Sequence, residues 1–122
     1  MMELPGGGVD PGESLAEGAA RELAEETGYV PGELAYLGEM CYEAYFGGSR
    51  SYFLATGCER RQEQDLDPAE FITVREVALG DLVTLAMTGR MTDPGGVLLA
   101  LPYLMGDPGV RAAFEHQRSQ PG

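Results

Sequence analysis

The first third of the chain repeats its apolar residues with a helical period. Four of them recur every three or four positions: Leu15, Ala19, Ala20 and Leu23. This spacing places them on one side of a helix that we predict over Leu15–Thr27. Ser14 is the predicted N-cap, and Glu17 three residues later completes a capping box. Gly28 supplies the residue type that commonly ends a helix.

From residue 34 onward the pattern becomes that of strands. Residues 34–42 and 51–56 are rich in apolar and aromatic side chains, and the glycines between them predict a hairpin or a longer connecting loop. The polar and acidic stretch 59–70 is predicted to be a loop. Residues 71–77, with the sequence FITVREV, predict another strand from their β-branched content and partial alternation.

The last third of the chain has a helical pattern again. We predict a helix over residues 79–89 from the spacing of its apolar side chains and its closing glycine. Asp93 and Asp107 each precede a proline, which predicts an N-cap followed by proline in the first turn. The apolar segment 97–104 is expected to be buried, and Pro102 is expected to interrupt any helix there.

Composition limits the classes of function. A chain of 122 residues with a net charge of −12 is expected to form one domain that repels a nucleic-acid backbone. No apolar run approaches the roughly 20 residues that span a bilayer, and the first residues lack the order of a signal peptide. We therefore expect a cytoplasmic protein with no nucleic-acid or membrane partner.

Three glutamates of the predicted helix lie on one of its faces. Glu22, Glu25 and Glu26 are spaced i, i+3 and i+4, so their carboxylates converge and repel one another. A hard divalent cation such as Mg²⁺ or Mn²⁺ relieves that repulsion, because it prefers oxygen ligands. The alternative interpretation is a solvated acidic face of the helix.

These residues occur in a longer motif. Gly7, then Glu13, then the run 21–28 with the sequence RELAEETG resembles the Nudix box of the Nudix hydrolases at every polar and glycine position. The resemblance implies an α/β (α+β) fold, an α/β/α sandwich around a mixed sheet. We assign the domain to residues 1–118 and a disordered tail to 119–122. Only residues 1–6 precede the box, so the domain is expected to be N-terminally incomplete.

The resemblance also implies roles for individual residues. The implied metal ligands are the carbonyl of Gly6 and the carboxylates of the box: Glu22, Glu25 and Glu26. Glu13 and Arg21 are implied as supporting residues, because Arg21 ties the neighbouring glutamate to Glu13.

A further carboxylate is implied as the general base. Glu25 is one candidate, and the loop before the predicted last strand offers four more acids: Glu63, Asp65, Asp67 and Glu70. We prefer Asp65 and Glu70 among these, and the alternative is that the loop is only solvated.

Weaker motifs outside the box include residues 3–14 (ELPGGGVDPGES), 36–38 (YLG), 70–72 (EFI) and 89–93 (GRMTD). Together they resemble the branch of the family that hydrolyses ADP-ribose and nucleoside-diphosphate sugars. That resemblance implies metal-dependent hydrolysis of a nucleoside diphosphate linked to another group. Tyr45 stands where that branch usually has a proline, and a tyrosine near this position is associated with dinucleoside polyphosphate hydrolases. A Nudix-fold module that binds a nucleotide without cleaving it is a further alternative.

Two residues of the predicted hairpin are candidates for substrate binding. Arg50 is placed to meet a phosphate or to stay solvated, and Tyr45 to stack on a base or to pack in the sheet. Tyr45 belongs to an aromatic cluster with three other residues: Tyr42, Phe46 and Tyr52. Because an incomplete sheet leaves an open edge, we also expect a homodimer.

Overall fold

The computed structural model describes residues 2–43 and 48–120. The chain divides into two compact units, one of Pro5–Arg75 and one of Met1–Leu4 with Glu76–Gly122. Among these described residues, every helix is too short or too polar to cross a bilayer.

The first unit is built on α1, Leu15–Thr27. The predicted capping box is present, since the Glu17 N–H donates to Ser14 Oγ over 3.1 Å and the Ser14 N–H donates to Glu17 Oε1 over 3.0 Å. The helix ends at Gly28, which has a left-handed φ of 80° and donates its N–H to the Ala24 carbonyl. The predicted helix and both of its ends are therefore confirmed.

The predicted hairpin is also confirmed. β2, Glu33–Glu43, pairs antiparallel with β3, Gly48–Thr56, and the register places Glu33 opposite Thr56. The register shifts between Tyr36 and Gly38 and again nearer the tip of the hairpin. Tyr36 lies against Phe53 of the opposite strand with ring centroids 5.3 Å apart, a cross-strand aromatic pair that stabilises this register.

A second, shorter pairing follows the helix. β1, Tyr29–Val30, pairs antiparallel with β4, Glu59–Arg60. This pairing brings the chain that leaves β3 back to the end of α1. The acidic loop that follows β4 therefore begins beside the last turn of the helix.

The strand predicted over residues 71–77 is absent from the structure. These residues adopt no regular secondary structure, and the Phe71 side chain is 94% exposed. β-branched residues are favoured in strands because they pack well on a half-buried sheet. A strand also needs a neighbouring strand to pair with, which propensity does not supply. In the described part of the chain no strand pairs with this segment, so the prediction was wrong.

The second unit consists of three helices, α2 over Leu79–Met87, α3 over Gly95–Leu104 and α4 over Pro108–Arg118. Its core contains seven buried apolar residues: Val83, Ala86, Met91, Val97, Ala100, Leu104 and Val110. Asp107 caps α4 as predicted, because its carboxylate accepts from the Val110 N–H over 3.1 Å.

Two expectations for α3 need correction. The helix begins at Gly95 with Pro94 at its cap, one residue later than Asp93 predicts. It also continues through Pro102. Proline removes the hydrogen bond to the carbonyl four residues earlier, here that of Leu98. Leu98 is 43% exposed, so this interruption of the hydrogen-bond ladder lies at a partly exposed part of the helix.

The fold class is confirmed. Within the described residues, four helices combine with small antiparallel sheets, as expected for a Nudix-type α+β fold. The described strands form two antiparallel pairs, and the described parallel pairing outside them is an isolated bridge between Met2 and Met91.

Candidate active site

The candidate site is centred on the guanidinium of Arg21. Its Nε and Nη2 donate to the two oxygens of Glu13 over 2.8 and 3.0 Å, and Nη2 also donates to the Gly8 carbonyl. Its Nη1 donates to Glu22 Oε1 over 2.9 Å and to Glu25 Oε2 over 3.2 Å. One side chain therefore connects the glycine loop, Glu13 just before the helix cap and two glutamates of α1.

Negative charge predominates around Arg21. Asp10 Oδ2 lies 3.3 Å from Arg21 Nε, so within the described residues four carboxylates contact one guanidinium. The Glu13 and Glu22 side chains are only 15% and 17% exposed, which weakens solvent screening of their charges. The cluster retains an excess of negative charge that an added cation would neutralise.

The hydrogen bonds perturb the pKa values in the direction expected for a charged network. The two bonds from Arg21, followed by one from the Asp10 N–H, hold the pKa of Glu13 below its ordinary value. The Glu13 and Glu22 carboxylates raise the pKa of Arg21 above its ordinary value. Both groups are therefore ionised at neutral pH.

The glycine loop contacts the same face of α1. The Gly6 N–H donates to Glu26 Oε2 over 3.1 Å. Gly7 lies so close to Glu22 that a Cβ added there would overlap the Glu22 carboxyl carbon, with its Oε1 only 2.5 Å away. A residue without a side chain is therefore required at position 7 for the Glu22 carboxylate to occupy this place.

The segment Arg61–Asp65 covers the C-terminal end of α1. The Asp65 N–H donates to the Glu25 carbonyl over 2.7 Å, and the Gln64 side-chain Nε2 donates to the Glu26 carbonyl over 2.7 Å. The Gln62 side chain reaches the Ala24 carbonyl over 3.3 Å. The last carbonyls of a helix have no hydrogen-bond donors within the helix. This segment supplies donors to several of these carbonyls.

The two preferred loop acids lie in different settings. The main chain of Asp65 is bonded to that of Glu25, and its side chain is exposed. Glu70 is half-buried, and its Oε1 accepts the Asp67 N–H over 2.8 Å within a local turn. The structure thus brings the backbone of Asp65 to α1, whereas the described contact of the Glu70 carboxylate is local.

The predicted substrate-binding residues lie on or beside the hairpin. Arg50 is exposed on β3, opposite Met40 of β2. Tyr45 and Phe46 lie outside the described residues, as does the side chain of Tyr42. Tyr52 is half-buried opposite Gly38.

The donor set fits a hard divalent cation in its chemistry. Glu22 and Glu25 direct carboxylate oxygens to the same nitrogen of Arg21, and the Glu26 carboxylate lies at the glycine loop. Over residues 2–43 and 48–120, no three acidic, histidine or cysteine side chains are arranged to hold a metal ion. The carboxylates instead accept hydrogen bonds from Arg21 and Gly6, so the ligand assignment stays a prediction.

Comparison with known proteins identifies the family. The NUDIX domain model matches residues 1–96, most of the chain, and covers both the glycine loop and α1. The chain belongs to the Nudix family. Nudix hydrolases generally depend on divalent metals, in agreement with the chemistry of the carboxylate cluster.

Curated relatives extend this comparison. An ADP-ribose pyrophosphatase of Bacillus subtilis is 33% identical over 106 residues, which are 85% of this chain and 57% of that protein. A methanol dehydrogenase activator of Bacillus methanolicus is 27% identical over 96% of this chain and 62% of its own length. A B. subtilis protein named "Putative 8-oxo-dGTP diphosphatase" is 55% identical over 31% of this chain and 26% of its own. The chain spans less than two thirds of the length of each.

Sequence reasoning missed several contacts in and around this site. Asp10 is not among the residues that the sequence predicts for the site, yet it pairs with Arg21. Gln62 and Gln64 were assigned only to a polar loop, yet both donate to carbonyls of α1. The sequence carries no signal for these glutamines, because their partners are backbone groups about forty positions away, a separation that local patterns do not encode.

Proposed function

We propose that this protein hydrolyses the diphosphate bond of a nucleoside diphosphate linked to another group, with ADP-ribose as the substrate to test first. The observation that carries the proposal is the cluster of carboxylates on α1 around Arg21, next to a glycine loop. The 33% identity to an ADP-ribose pyrophosphatase over 85% of the chain supports the choice of substrate. The products would be AMP and a sugar phosphate.

The proposed metal ligands are the Gly6 carbonyl and the carboxylates of Glu22, Glu25 and Glu26. When bound there, Mg²⁺ or Mn²⁺ would neutralise the diphosphate and make a water molecule easier to deprotonate. The acidity of the cluster would attract the cations, and the bound cations would offset the repulsion that a polyphosphate meets from a chain of charge −12. Glu13 and Arg21 act as supporting residues that orient these ligands.

One carboxylate must accept the proton of the attacking water. We place Glu25 first, because it lies in the cluster and is only partly exposed, with 35% of its side chain accessible. Asp65 is the next candidate, since its main chain is bonded to that of Glu25. Glu70 is the third, although its described contact is with Asp67. The protonated carboxyl would then return its proton to solvent.

Substrate binding is proposed for Arg50 and Tyr45. Arg50 is exposed on β3 and carries one of only eight basic side chains, so it is suited to a phosphate. Tyr45 supplies an aromatic ring to stack on a base. We further propose that the protein works as a cytoplasmic homodimer, supported by exposed apolar side chains that include Phe71 and Tyr36. Sedimentation velocity measures that oligomeric state.

The proposal is tested by incubating the protein with ADP-ribose, with and without Mg²⁺, and quantifying AMP. Diadenosine polyphosphates serve as alternative substrates, since a dinucleoside polyphosphate hydrolase is the competing enzyme class. Release of AMP that requires Mg²⁺ supports the proposal. Preference for the diadenosine substrates would overturn the choice of ADP-ribose as substrate, while metal-dependent hydrolysis of a phosphate anhydride bond would still stand.

A non-hydrolytic nucleotide-binding module is the second candidate. It is favoured by the arrangement of the carboxylates, which in the described residues are held by Arg21 and Gly6 without a ready-made set of three metal ligands. Saturable binding of ADP-ribose in calorimetry, without AMP release at any metal concentration, would support this candidate and overturn the first.

A further inference from the structure

Gln64 occupies an unusual place among the polar residues of the loop after β4. Its side chain is half-buried, whereas its neighbours Glu63 and Asp65 are exposed. Its Nε2 donates to two main-chain carbonyls, that of Glu26 over 2.7 Å and that of Ile72 over 3.1 Å. The side chain therefore joins the last turn of α1 to the segment that follows the loop.

The chemistry of this contact requires an amide. A carboxamide nitrogen has two N–H donors in one plane, and each of them is used by one carbonyl. Because both neighbours are acceptors, the orientation of the amide follows from its surroundings. An ionised glutamate of the same shape has no donor and would place its oxygens against two carbonyl oxygens.

The carbonyl that Gln64 holds belongs to a residue of the carboxylate cluster. Glu26 is fixed at both ends, since its carbonyl accepts from Gln64 and its Oε2 accepts from the Gly6 N–H. The preceding carbonyl, that of Glu25, accepts from the Asp65 N–H next to Gln64. The loop therefore contacts the main chain of both carboxylate-bearing residues in the last turn of α1.

We propose that Gln64 is a positioning residue for the carboxylates of α1, acting through the main chain of Glu26. The inference rests on the proposed function in one respect, that these carboxylates bind a divalent metal. Sites of this kind need their ligands held within about 0.5 Å, and loss of an outer partner typically lowers metal affinity about 10- to 100-fold. Gln64 contacts the main chain of Glu26, whereas the glycine loop contacts its side chain.

Gln62 provides a matched control. It lies in the same loop, it is exposed, and its Nε2 donates to one carbonyl of α1, that of Ala24, over a longer 3.3 Å. Gln62→Glu adds the same charge as Gln64→Glu and removes the same kind of donor. It does not touch the main chain of the carboxylate-bearing residues Glu25 and Glu26.

The test measures Mn²⁺ binding by electron paramagnetic resonance of the free ion, together with Mg²⁺-dependent hydrolysis of ADP-ribose. For Gln64→Glu we expect Mn²⁺ affinity to fall at least about tenfold and the Mg²⁺ concentration for half-maximal rate to rise in parallel. KM for ADP-ribose at saturating metal should stay unchanged. Gln62→Glu should bind Mn²⁺ at least as well as the wild type. If Gln64→Glu fails to fold by circular dichroism, Gln64→Met is used instead.

The outcomes separate this inference from the proposed function. Equal Mn²⁺ affinity in Gln64→Glu and Gln62→Glu, with hydrolysis intact in the wild type, would overturn the role of Gln64 alone. A selective loss of Mn²⁺ affinity in Gln64→Glu, with no hydrolysis by the wild type, would support Gln64 and overturn the proposed reaction. A wild-type protein that neither binds Mn²⁺ nor hydrolyses substrate would overturn both.

Discussion

The guanidinium of Arg21 donates two hydrogen bonds to the carboxylate of Glu13, from Nε to Oε2 over 2.8 Å and from Nη2 to Oε1 over 3.0 Å. Its third nitrogen remains directed at Glu22 and Glu25. We therefore expect Glu13 to fix the plane of the guanidinium and, through it, the places of the two helix glutamates. Contacting Glu13 on one edge and Glu22 and Glu25 on another requires a planar guanidinium with N–H donors in fixed directions. The ammonium group of lysine has no such plane.

Arg21→Lys is therefore expected to lower metal-dependent turnover by about 10- to 100-fold, since the charge remains and the geometry is lost. Steady-state hydrolysis of ADP-ribose measures the effect. Arg61→Lys is the matched control, because Arg61 also uses Nε and Nη2 on one carboxylate, that of Glu59, at an exposed site. Equal turnover in both variants would contradict the orienting role of Arg21.

Acid should destabilise the fold through Glu13 in a defined pH range. The Arg21 bonds lower the pKa of Glu13 in the folded state. As pH falls, the folded protein therefore binds fewer protons at this residue than the unfolded chain does. The stabilisation is complete above the unfolded value of about 4.3 and is lost as pH falls through the lower folded value. Glu17, whose pKa the Ser14 N–H and hydroxyl also lower, contributes in the same direction.

Urea unfolding at a series of pH values from 7 down to 3 measures this dependence. Glu13→Gln should be less stable than the wild type at pH 7 and should lose less stability on acidification. Glu63→Gln, at a side chain 92% exposed, is the control and should follow the wild type. Light scattering is monitored as well, because the sequence pI is about 4.3 and neutral chains associate. Parallel curves for all three proteins would contradict the assignment.

Gly7→Ala should separate activity from stability. The added methyl meets the end of the flexible Glu22 side chain, which can swing away at little cost to the fold. The displaced carboxylate should lower turnover by up to about 10²-fold while stability changes by about 0.5 kcal/mol or less. Gly8→Ala is the control, since a Cβ there meets nothing within 4 Å. Loss of activity in Gly8→Ala alone would contradict this interpretation.

Gly28→Ala should instead destabilise the protein. Gly28 has a φ of 80°, and a Cβ there would overlap the carbonyl oxygen of Gln62, a backbone atom that cannot swing away. Substitution at Gly28 therefore carries two costs, the strain of a positive φ and the overlap with a backbone atom. Gly89→Ala measures the first cost alone, because Gly89 also has a positive φ, 71°, but open space around it. We expect Gly89→Ala to cost about 1–2 kcal/mol and Gly28→Ala more than about 3 kcal/mol, measured by urea unfolding. Equal costs would show that the segment after β4 does not pack on Gly28 in solution.

The elements that were predicted correctly depend on local chemistry. α1 follows from apolar spacing, a capping box and a terminal glycine, all within fifteen residues, and the hairpin follows from two apolar strands around glycines. The wrong strand at residues 71–77 shows the limit of that reasoning, because its propensity specifies no pairing partner.

The candidate site shows the same division. The spacing of Glu22, Glu25 and Arg21 follows from helical geometry, whereas the covering of the helix end by Gln62 and Gln64 depends on how the loop folds back.

Glu26→Gln gives the most direct test of the proposed ligand set. An amide oxygen can still accept the Gly6 N–H, so the glycine loop should stay in place and unfolding in urea should change little. The negative charge that would attract a divalent cation is lost, so Mg²⁺-dependent turnover and Mn²⁺ binding should both disappear. Glu17→Gln is the matched control on the same helix, because glutamine also serves in a capping box and Glu17 lies outside the Arg21 cluster. If Glu26→Gln retains full turnover, Glu26 is not a metal ligand, and the acidic face of α1 has to be explained by its pairing with Arg21 alone.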